Sequence, residues 1–576
     1  MAFIVKKKIH GNDYFYLNEN KRVDGKVKTT TIAYLGKDRK EAEKKMKEMI
    51  DKKIPEENVN KNPNRGSSPP INIKKEAMPE SPHNYSVKIS IEELAAFCKR
   101  KGFIYPSGEI YGGLAGFWDF GPLGVELLNN IKKEWWDYFV KGKENIVGIE
   151  ASVISPPKTW KASGHTSNFT DVSVQCMKCK KFNKVDKVEL EHAVCSFCGG
   201  KLDKSTAKDL NLMFKTNVGP VEDDSIPAYL RPETAQGMFL DFKLVQQTAR
   251  MQLPFGIAQI GRCFRNEIAP RDFLFRSREF HIGEFEFFVN PEEKKCDLLE
   301  EKHLNLKFKF LSAEFQIHAK NELKDMTIRE LLKEGKLEEW HAYWLAEQIL
   351  WFHSIGLIEI KIREHMKDEL SHYSSATFDI DYEYPFGSKE IAGIANRGQF
   401  DLTNHERESK QSMLIFDEKY KNKVIPKVIE PTFGIERVFL AILAKAYHYD
   451  KEKDYTLLKI PAKLAPVKAA IFPIVKQPEY EKLTEKIYSE LKKEFNVIYD
   501  ISGSIGRRYA RNDEIGTPYC ITIDEDSLKN KDVTIRVRDT TQQIRVKIDA
   551  LNEILRRGIN GEDISKLGKK VDTRKK

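Results

Sequence analysis

Residues 264–267 read Phe-Arg-Asn-Glu, with Arg276 shortly after and Arg-Glu-Phe at 278–280. Far downstream, residues 431–437 read Pro-Thr-Phe-Gly-Ile-Glu-Arg. Together they supply three or four fixed cations and a carboxylate that can face one polyphosphate nucleotide. A guanidinium binds a phosphate through parallel N–H donors, and a neighbouring carboxylate accepts from a purine amino group. Residues 255–264 and 278–289 are expected to pair as antiparallel strands. Alternation along such a strand puts Arg265 and Glu267 on one face, with Phe280 available to stack on a base. Read alone, Arg-x-Glu on a strand favours a solvated sheet with surface ion pairs.

Four cysteines form a second constellation. Cys176, Cys179, Cys195 and Cys198 stand as two Cys-x2-Cys pairs fifteen residues apart. Each pair places two thiolates at one turn, and two such knuckles complete a tetrahedral Zn2+ site. A closed four-thiolate shell leaves no open position, so the expected role is structural. Other acidic residues say less by themselves. Glu233, within Arg-Pro-Glu-Thr-Ala-Gln-Gly at 231–237, falls in the first turn of an expected helix over 234–247, where capping accounts for both Glu233 and Thr234. Glu284 and Glu286 share a strand face that is either solvated or a negative floor for an ammonium group. Glu390 opens an apolar stretch, as a metal or water ligand or as a strand-edge charge.

The elements that must position these residues can be read from periodicity. Residues 2–8, 13–17 and 29–35 read as strands of a small N-terminal unit, 1–50, with a turn at Gly11 and Asn12 and a helix over 39–50. This unit holds thirteen basic against seven acidic residues. Its charge suits an auxiliary RNA-binding module, a protein-docking domain or a solvated appendage. Residues 51–85, with six prolines between 54 and 84, read as a flexible linker. In the main body, 86–460, helices are expected over 91–101 and 122–140 and at 434–447, and strands at 150–155, 255–264, 279–289 and 377–384. A zinc-knuckle insertion is placed at 170–210 and a helical insertion at 297–368. Strands and helices without βαβ regularity argue for an α+β antiparallel sheet. From 465 to 560 they alternate as in an α/β domain, and 561–576 is a basic tail.

The chain has 576 residues, 40% hydrophobic and 32% charged, with a formal net charge of +10. That is enough for several domains, each with its own core, and the excess fits a polyanionic partner. No uncharged run approaches the ~18 residues of a membrane span. The N-terminal apolar run is too short for a signal peptide, so a cytoplasmic location without membrane attachment is expected.

Taken in order, these motifs resemble the homodimeric glycyl-tRNA synthetases of class II, in their archaeal/eukaryotic form. The resemblance covers residues 88–560. It rests on Glu-Ile-Tyr-Gly-Gly-Leu-Ala-Gly-Phe at 109–117, Gly-Pro-Leu-Gly at 121–124, Ser-Gly-His at 163–165, Asp-Leu-Thr-Asn-His at 401–405, and the segments quoted above. It implies a six- or seven-stranded antiparallel catalytic sheet and a C-terminal anticodon-binding domain. Motif 1, the dimer interface, would span 122–157, motif 2 264–288 and motif 3 431–443. The substrates implied are ATP, Mg2+, glycine and tRNA(Gly). By the same resemblance Arg265 is the α-phosphate ligand, Glu267 the adenine-amino contact, Phe280 the adenine stacking partner and Arg276 the contact to the β/γ side. Arg437 is the motif 3 arginine, and Glu390 lies near the magnesium-bound phosphates. Glu233 and Glu284 match the carboxylates that hold the glycine ammonium. Thr432 stands where the family usually has Ser, and Asn396 where it usually has Asp. The rival readings are a catalytically silent synthetase-like RNA-binding protein and a class II ligase for proline, threonine or histidine.

Overall fold

The structure is a computed structural model. It describes residues 2–9, 12–23, 26–36 and 89–571, apart from 186–189, 191, 192, 196, 220–225, 268, 269, 318–321, 372 and 451–453. Residues 1–80 form one compact unit and 81–576 another. The first is a three-stranded antiparallel meander, Ala2–Ile9, Asn12–Val23 and Lys26–Gly36. Asn12 pairs with Ile9, so it opens the second strand and is not part of the turn. That strand runs on to Val23, paired with Lys26 across Asp24 and Gly25. The charged run before Asp24 hides this longer hairpin from a hydrophobicity pattern. The expected helix at 39–50 and the linker at 51–85 lie outside the described residues.

The larger unit is built on a nine-stranded sheet. Its strands lie in the order Lys324–Thr327, Lys307–Leu311, Ile360–Glu364, Ala376–Tyr384, Gly387–Gly398, Lys427–Gly434, Glu279–Val289, Phe255–Phe264 and Ile146–Gly148. All neighbours pair antiparallel except Lys307–Leu311 with Ile360–Glu364 and Phe255–Phe264 with Ile146–Gly148. The sheet is therefore wider than six or seven strands. The added width comes from residues 297–368, which are not a helical insertion. They give three strands to that side of the sheet, Lys307–Leu311 and Lys324–Thr327 before the helix Glu339–Ser354 and Ile360–Glu364 after it. The Leu-, Lys- and Glu-rich helical segments around them mask Lys307–Leu311 and Ile360–Glu364, whose apolar residues alternate with charged ones. Residues 150–155 also differ from expectation: strands form at Ile146–Gly148 and Ile154–Ser155, with irregular chain between.

Helix Glu339–Ser354 carries Trp340, Trp344 and Trp351, all buried. A helix apolar on nearly every side must lie inside the protein. It packs on strands Gly387–Gly398 and Lys427–Gly434. Helix Pro122–Trp136 starts with proline in its first turn, where the missing N–H costs nothing, and ends in a π-helical turn, Asp137–Lys141. Trp135 and Phe139 meet Phe285 and Phe433, with ring centroids 5.0 to 6.3 Å apart. Phe285, Phe287 and Val289 thus enter the helical core. The two-residue repeat of a strand sends Glu284 and Glu286 to the opposite face. Helices Pro122–Trp136 and Glu339–Ser354 buttress one face of the sheet; Glu284 and Glu286 lie on the other, where helices Ala235–Leu240 and Phe242–Thr248 pack on Ile257 and Phe288.

Residues 465–570 have their own core between a six-stranded sheet and helices Pro478–Leu491 and Leu551–Ile559. Strand Ala469–Pro473 pairs parallel with Val497–Tyr499 and Tyr519–Ile523, and the remaining pairs are antiparallel. Lys569–Lys570 completes the sheet, so the first part of the expected basic tail is folded. The domain is bound to the catalytic body. Arg538 Nη2 donates to Ile460 O at 2.8 Å, and Lys101 pairs with Glu514. Among the described residues no helix is long and apolar enough to cross a membrane.

Candidate active site

Strand Glu279–Val289 is the spine of the site. Its register sets Gln259 opposite Glu284 on one side and Thr432 opposite Glu284 on the other. Strand Phe255–Phe264 ends one residue before Arg265, so Arg265 and Glu267 are not alternate residues of a strand. They sit in a tight turn: Arg265 N–H donates to Arg278 O at 2.9 Å and Glu267 N–H to Arg265 O at 2.7 Å. The turn is braced by the glycine-rich segment at 109–117. Arg278 N–H donates to Gly116 O at 2.8 Å, its Nη1 to Ala115 O at 2.9 Å and its Nε to Glu267 O at 2.8 Å. Gly116 has φ +80°, and a Cβ there would lie 2.7 Å from Pro270 Cγ. Close approach and a left-handed backbone both require glycine.

Arg265, Glu267, Arg276, Phe280, Glu390 and Arg437 line a single cleft of about 630 Å³, its open mouth included. The guanidinium carbon of Arg265 lies 5.4 Å from the Phe280 ring centre and 5.5 Å from that of Phe169, and its Nε donates to Pro232 O at 3.1 Å. Arg276 donates to Glu267 Oε2 from Nε at 2.9 Å and from Nη2 at 2.8 Å. Arg437 Nη1 reaches Glu390 Oε2 at 2.9 Å and Glu390 O at 3.1 Å, with its guanidinium over Phe275. Two of the cations are thus paired with carboxylates of the same cleft. At the junction of the cleft with the core, His281 gives its backbone N–H to Glu436 Oε2, and its Nδ1 lies 2.7 Å from Glu436 Oε1, which fixes the first turn of helix Ile435–Ala446.

Thr432 lines the same cleft and leads to an acidic floor. Glu284 accepts from Thr432 Oγ1 at 2.8 Å, from Thr234 Oγ1 at 2.5 Å and from Thr234 N at 3.2 Å. Thr234 therefore spends its hydroxyl on Glu284 and makes no side-chain cap to helix Ala235–Leu240. The expected single helix at 234–247 is broken at Asp241 into Ala235–Leu240 and Phe242–Thr248. Glu233 is buried, with Oε2 3.1 Å from His165 Nε2 and Oε1 accepting from Gln236 Nε2 at 3.0 Å. Burial opposes its ionisation, but His165, then Arg397 and Gln236, hold its pKa well below the usual carboxylate range. Burial and the neighbouring charge of Glu233 push Glu284 the other way, against the two threonine hydrogen bonds.

Sequence reasoning missed the group that holds this floor together. Arg397, fully buried, donates to Asp401 at 2.7 and 2.9 Å and to Glu430 Oε1 at 2.7 Å, and lies 3.7 Å from the centre of the Tyr373 ring. Gln236 bridges Glu233 and Asp401, with His405 Nε2 2.8 Å from its Oε1. The four-residue spacing of Arg397 and Asp401 was a readable signal, but only the strand-to-helix corner between them turns it into a buried pair. The two departures from the family pattern are accommodated. The Thr432 hydroxyl reaches Glu284 as a serine hydroxyl would. Asn396 Oδ1 accepts from Gly398 N–H at 3.1 Å across a bulge, an acceptor role that an aspartate would fill equally.

The four cysteines do not line this cleft; Cys176 ends the first strand of a three-stranded sheet, Thr170–Cys176, Phe182–Val185 and Leu202–Asn211, and Cys179, Cys195 and Cys198 lie outside its strands. Their sulfurs lie within 4.8 Å of one another, with Cys176–Cys198 and Cys179–Cys195 both at 3.5 Å. A tetrahedron of Zn–S bonds near 2.3 Å has edges of ~3.8 Å, so the donor set fits zinc. The backbone N–H groups of Lys178 and Cys179 point at Cys176 Sγ, as suits a thiolate.

Arg397→Met would leave Glu430 and Asp401 buried without their cation. The variant is expected to lose about 3–5 kcal/mol of stability, read from denaturant unfolding.

Comparison with known proteins agrees with this geometry. Residues 220–446 match the tRNA synthetase class II core domain (G, H, P, S and T), and residues 468–557 match the anticodon binding domain. The chain is 40% identical over 472 residues to the glycine--tRNA ligase of Treponema denticola, covering 80% of this chain and 95% of that protein. It is 41% identical over 487 residues to that of Bifidobacterium longum, covering 80% and 91%, and 41% over 496 residues to that of Acetivibrio thermocellus, covering 81% and 97%. A crystal structure of prolyl-tRNA synthetase from Cryptosporidium parvum, complexed with L-proline and AMP, shares the fold at 14% identity. Its TM-score is 0.50, over 83% of this chain and 79% of that one. The chain therefore belongs to the glycine--tRNA ligase family of class II aminoacyl-tRNA synthetases.

Proposed function

We propose that this chain joins glycine to tRNA(Gly) in two steps, through a glycyl-adenylate. The observation that carries this reading is the junction at Thr432. There a cleft lined by arginines meets Glu284, a buried carboxylate held by two threonines. One side suits a polyphosphate, the other an ammonium group. In the first step a glycine carboxylate oxygen attacks the α-phosphorus of ATP, and pyrophosphate leaves. Arg265 takes the α-phosphate, Arg276 the β/γ side and Arg437 the opposite face, while Phe280 stacks on the adenine. Arg276 leaves Glu267 for the phosphates, and Glu267 then accepts from the adenine amino group. The site is neutralised before the nucleotide enters, and the paired carboxylate becomes a ligand when it arrives. Glu390, exposed at the mouth beside Arg437, would hold Mg2+, which supplies charge neutralisation at the pyrophosphate. In the second step the terminal 3′-OH of tRNA attacks the adenylate carbonyl and AMP leaves.

Glycine offers no side chain to recognise. Selection rests on Glu233 and Glu284 for the ammonium and on a floor too full for a methyl group, where Thr432 adds bulk beside Glu284. The C-terminal domain reads unpaired anticodon bases, and the excess basic charge serves the tRNA backbone. Zn2+ held by Cys176, Cys179, Cys195 and Cys198 has a structural role, since those thiols lie away from the cleft. The enzyme is a cytoplasmic homodimer of the archaeal/eukaryotic type. The type rests on the ordered motifs alone, and the relatives compared are bacterial. The dimer surface runs along motif 1, 122–157, and is supported by exposed Tyr105, Ile110, Tyr111, Leu114 and Val125 beside it.

ATP–pyrophosphate exchange should depend on glycine and on no other amino acid; exchange with proline or threonine instead would reject the assignment. Arg265→Ala should lower the exchange rate by about 10²–10³-fold with the protein still folded. Purified protein should carry one zinc per chain, and Cys198→Ser should release it with a fall in Tm but no loss of the motif 2 arginines' function in the remaining folded fraction. Sedimentation equilibrium should give twice the chain mass; a monomer at micromolar concentration would exclude the motif 1 interface.

A further inference from the structure

Beside the acidic floor stands a carboxyl with no partner. Glu286 is fully buried, and neither of its oxygens has a hydrogen-bond partner among the described residues. The register that sets Glu284 opposite Thr432 and Phe287 opposite Ile429 puts Glu286 across from Glu430 on the same face. One carboxylate oxygen from each of Glu284, Glu286 and Glu430 lies within 4.8 Å of the other two. The charged groups around Glu286 are Glu284 on its own strand, Glu430 on Lys427–Gly434, Arg397 on Gly387–Gly398 and Asp401 on helix Phe400–Ser409. Arg397 is committed to Asp401 and Glu430. Glu284 is committed to Thr234 and Thr432. An ionised Glu286 would thus face carboxylates with no donor of its own, a far costlier state than the neutral acid.

We propose that Glu286 is a positioning residue that remains a neutral carboxylic acid in the working enzyme and shares its proton with Glu430, so that Glu233 and Glu284 are the charges an ammonium group meets. Glu430 already accepts from Arg397 through Oε1, and the O–H of Glu286 gives it a second donor once a side-chain torsion closes the gap. The neutral acid keeps Glu430 and Arg397 in place beneath Glu284 without adding a charge that would compete for the substrate. Burial and the nearby Glu430 both push the Glu286 pKa upward, in the same sense. The inference rests on the reading that this pocket takes glycine.

Glycine-dependent ATP–pyrophosphate exchange tests it through rescue by the isostere. Glu286→Ala should raise the KM for glycine about tenfold or more, and Glu286→Gln, which is neutral and of the same shape, should return it to within about threefold of the native value. Glu284→Gln should show no such tolerance. If Glu286→Gln is as impaired as Glu286→Ala, Glu286 is an ionised ligand and the proposal fails. If Glu286→Ala is unimpaired, Glu286 positions nothing and the proposal also fails. Two further readouts need no activity. The infrared difference between native protein and Glu286→Gln at neutral pH should show loss of a protonated-carboxyl C=O band; loss of a carboxylate band would overturn the proposal. The raised pKa also makes the folded state hold a proton that the unfolded chain releases. Stability from this group is therefore full below the ordinary glutamate range and declines as pH rises towards the folded-state pKa. Glu286→Gln should lose less Tm than the native protein between about pH 6 and 9. A native chain that exchanges no glycine would reject the glycine reading alone, since the infrared and Tm measurements would still decide the state of Glu286.

Discussion

The site depends on burying five carboxylates around one guanidinium. Glu233, Glu284, Glu286, Asp401 and Glu430 are all buried, and Arg397 is the cation bonded among them. Such a cluster opposes its own formation, because desolvation and mutual repulsion both favour the unfolded chain. Four of the five have hydrogen-bonding partners that offset this cost. Asp401 and Glu430 share Arg397. Glu284 takes two threonine hydroxyls and a backbone N–H. Glu233 takes His165 and Gln236. Glu286 has none of these. A floor with more negative charge than internal compensation is suited to a small cation, and in a glycine--tRNA ligase the cation available is the substrate's own ammonium group.

The nucleotide side follows a complementary rule. Its arginines are not left bare: Arg276 and Arg437 hold carboxylates of the same cleft, and Arg265 lies against aromatic faces. Pairing offsets the mutual repulsion of these cations while the cleft has no polyanion in it. The whole arrangement hangs on strand Glu279–Val289, whose alternate residues serve two masters. Phe285 and Phe287 lock it into the helical core, and that anchorage holds Glu284 and Glu286 in register with Thr432 and Glu430.

Much of the frame was legible in the chain. Strands were expected at 255–264 and 279–289, the second from its alternation of apolar and acidic residues, and the structure places their ends at those residues. Helices expected over 91–101 and 122–140 are found as Ile91–Lys101, which Ser90 caps, and as Pro122–Trp136 with its π-helical continuation Asp137–Lys141. Residues 297–368 were read as helical from their Leu, Lys and Glu content, which hid two short alternating runs, Lys307–Leu311 and Ile360–Glu364; these pair with each other, and the second pairs with strand Ala376–Tyr384. Thr234 was misread as a cap because local sequence cannot show a carboxylate fifty residues away competing for its hydroxyl.

The sequence by itself determined the family, the order of its motifs and the types of residue that gather: arginines and glutamates in the cleft and its floor, and two pairs of cysteines apart from them. These are matters of chemical identity and short spacing, which a linear text preserves. Tertiary structure alone decided who is bonded to whom. It joined Arg276 to Glu267 and Arg437 to Glu390, made Arg397 the keystone of the acidic floor, and separated Glu284 from Glu286, alike in sequence but opposite in circumstance. Burial and partner supply set the state of a carboxylate, and both depend on residues that come together only when the sheet has formed.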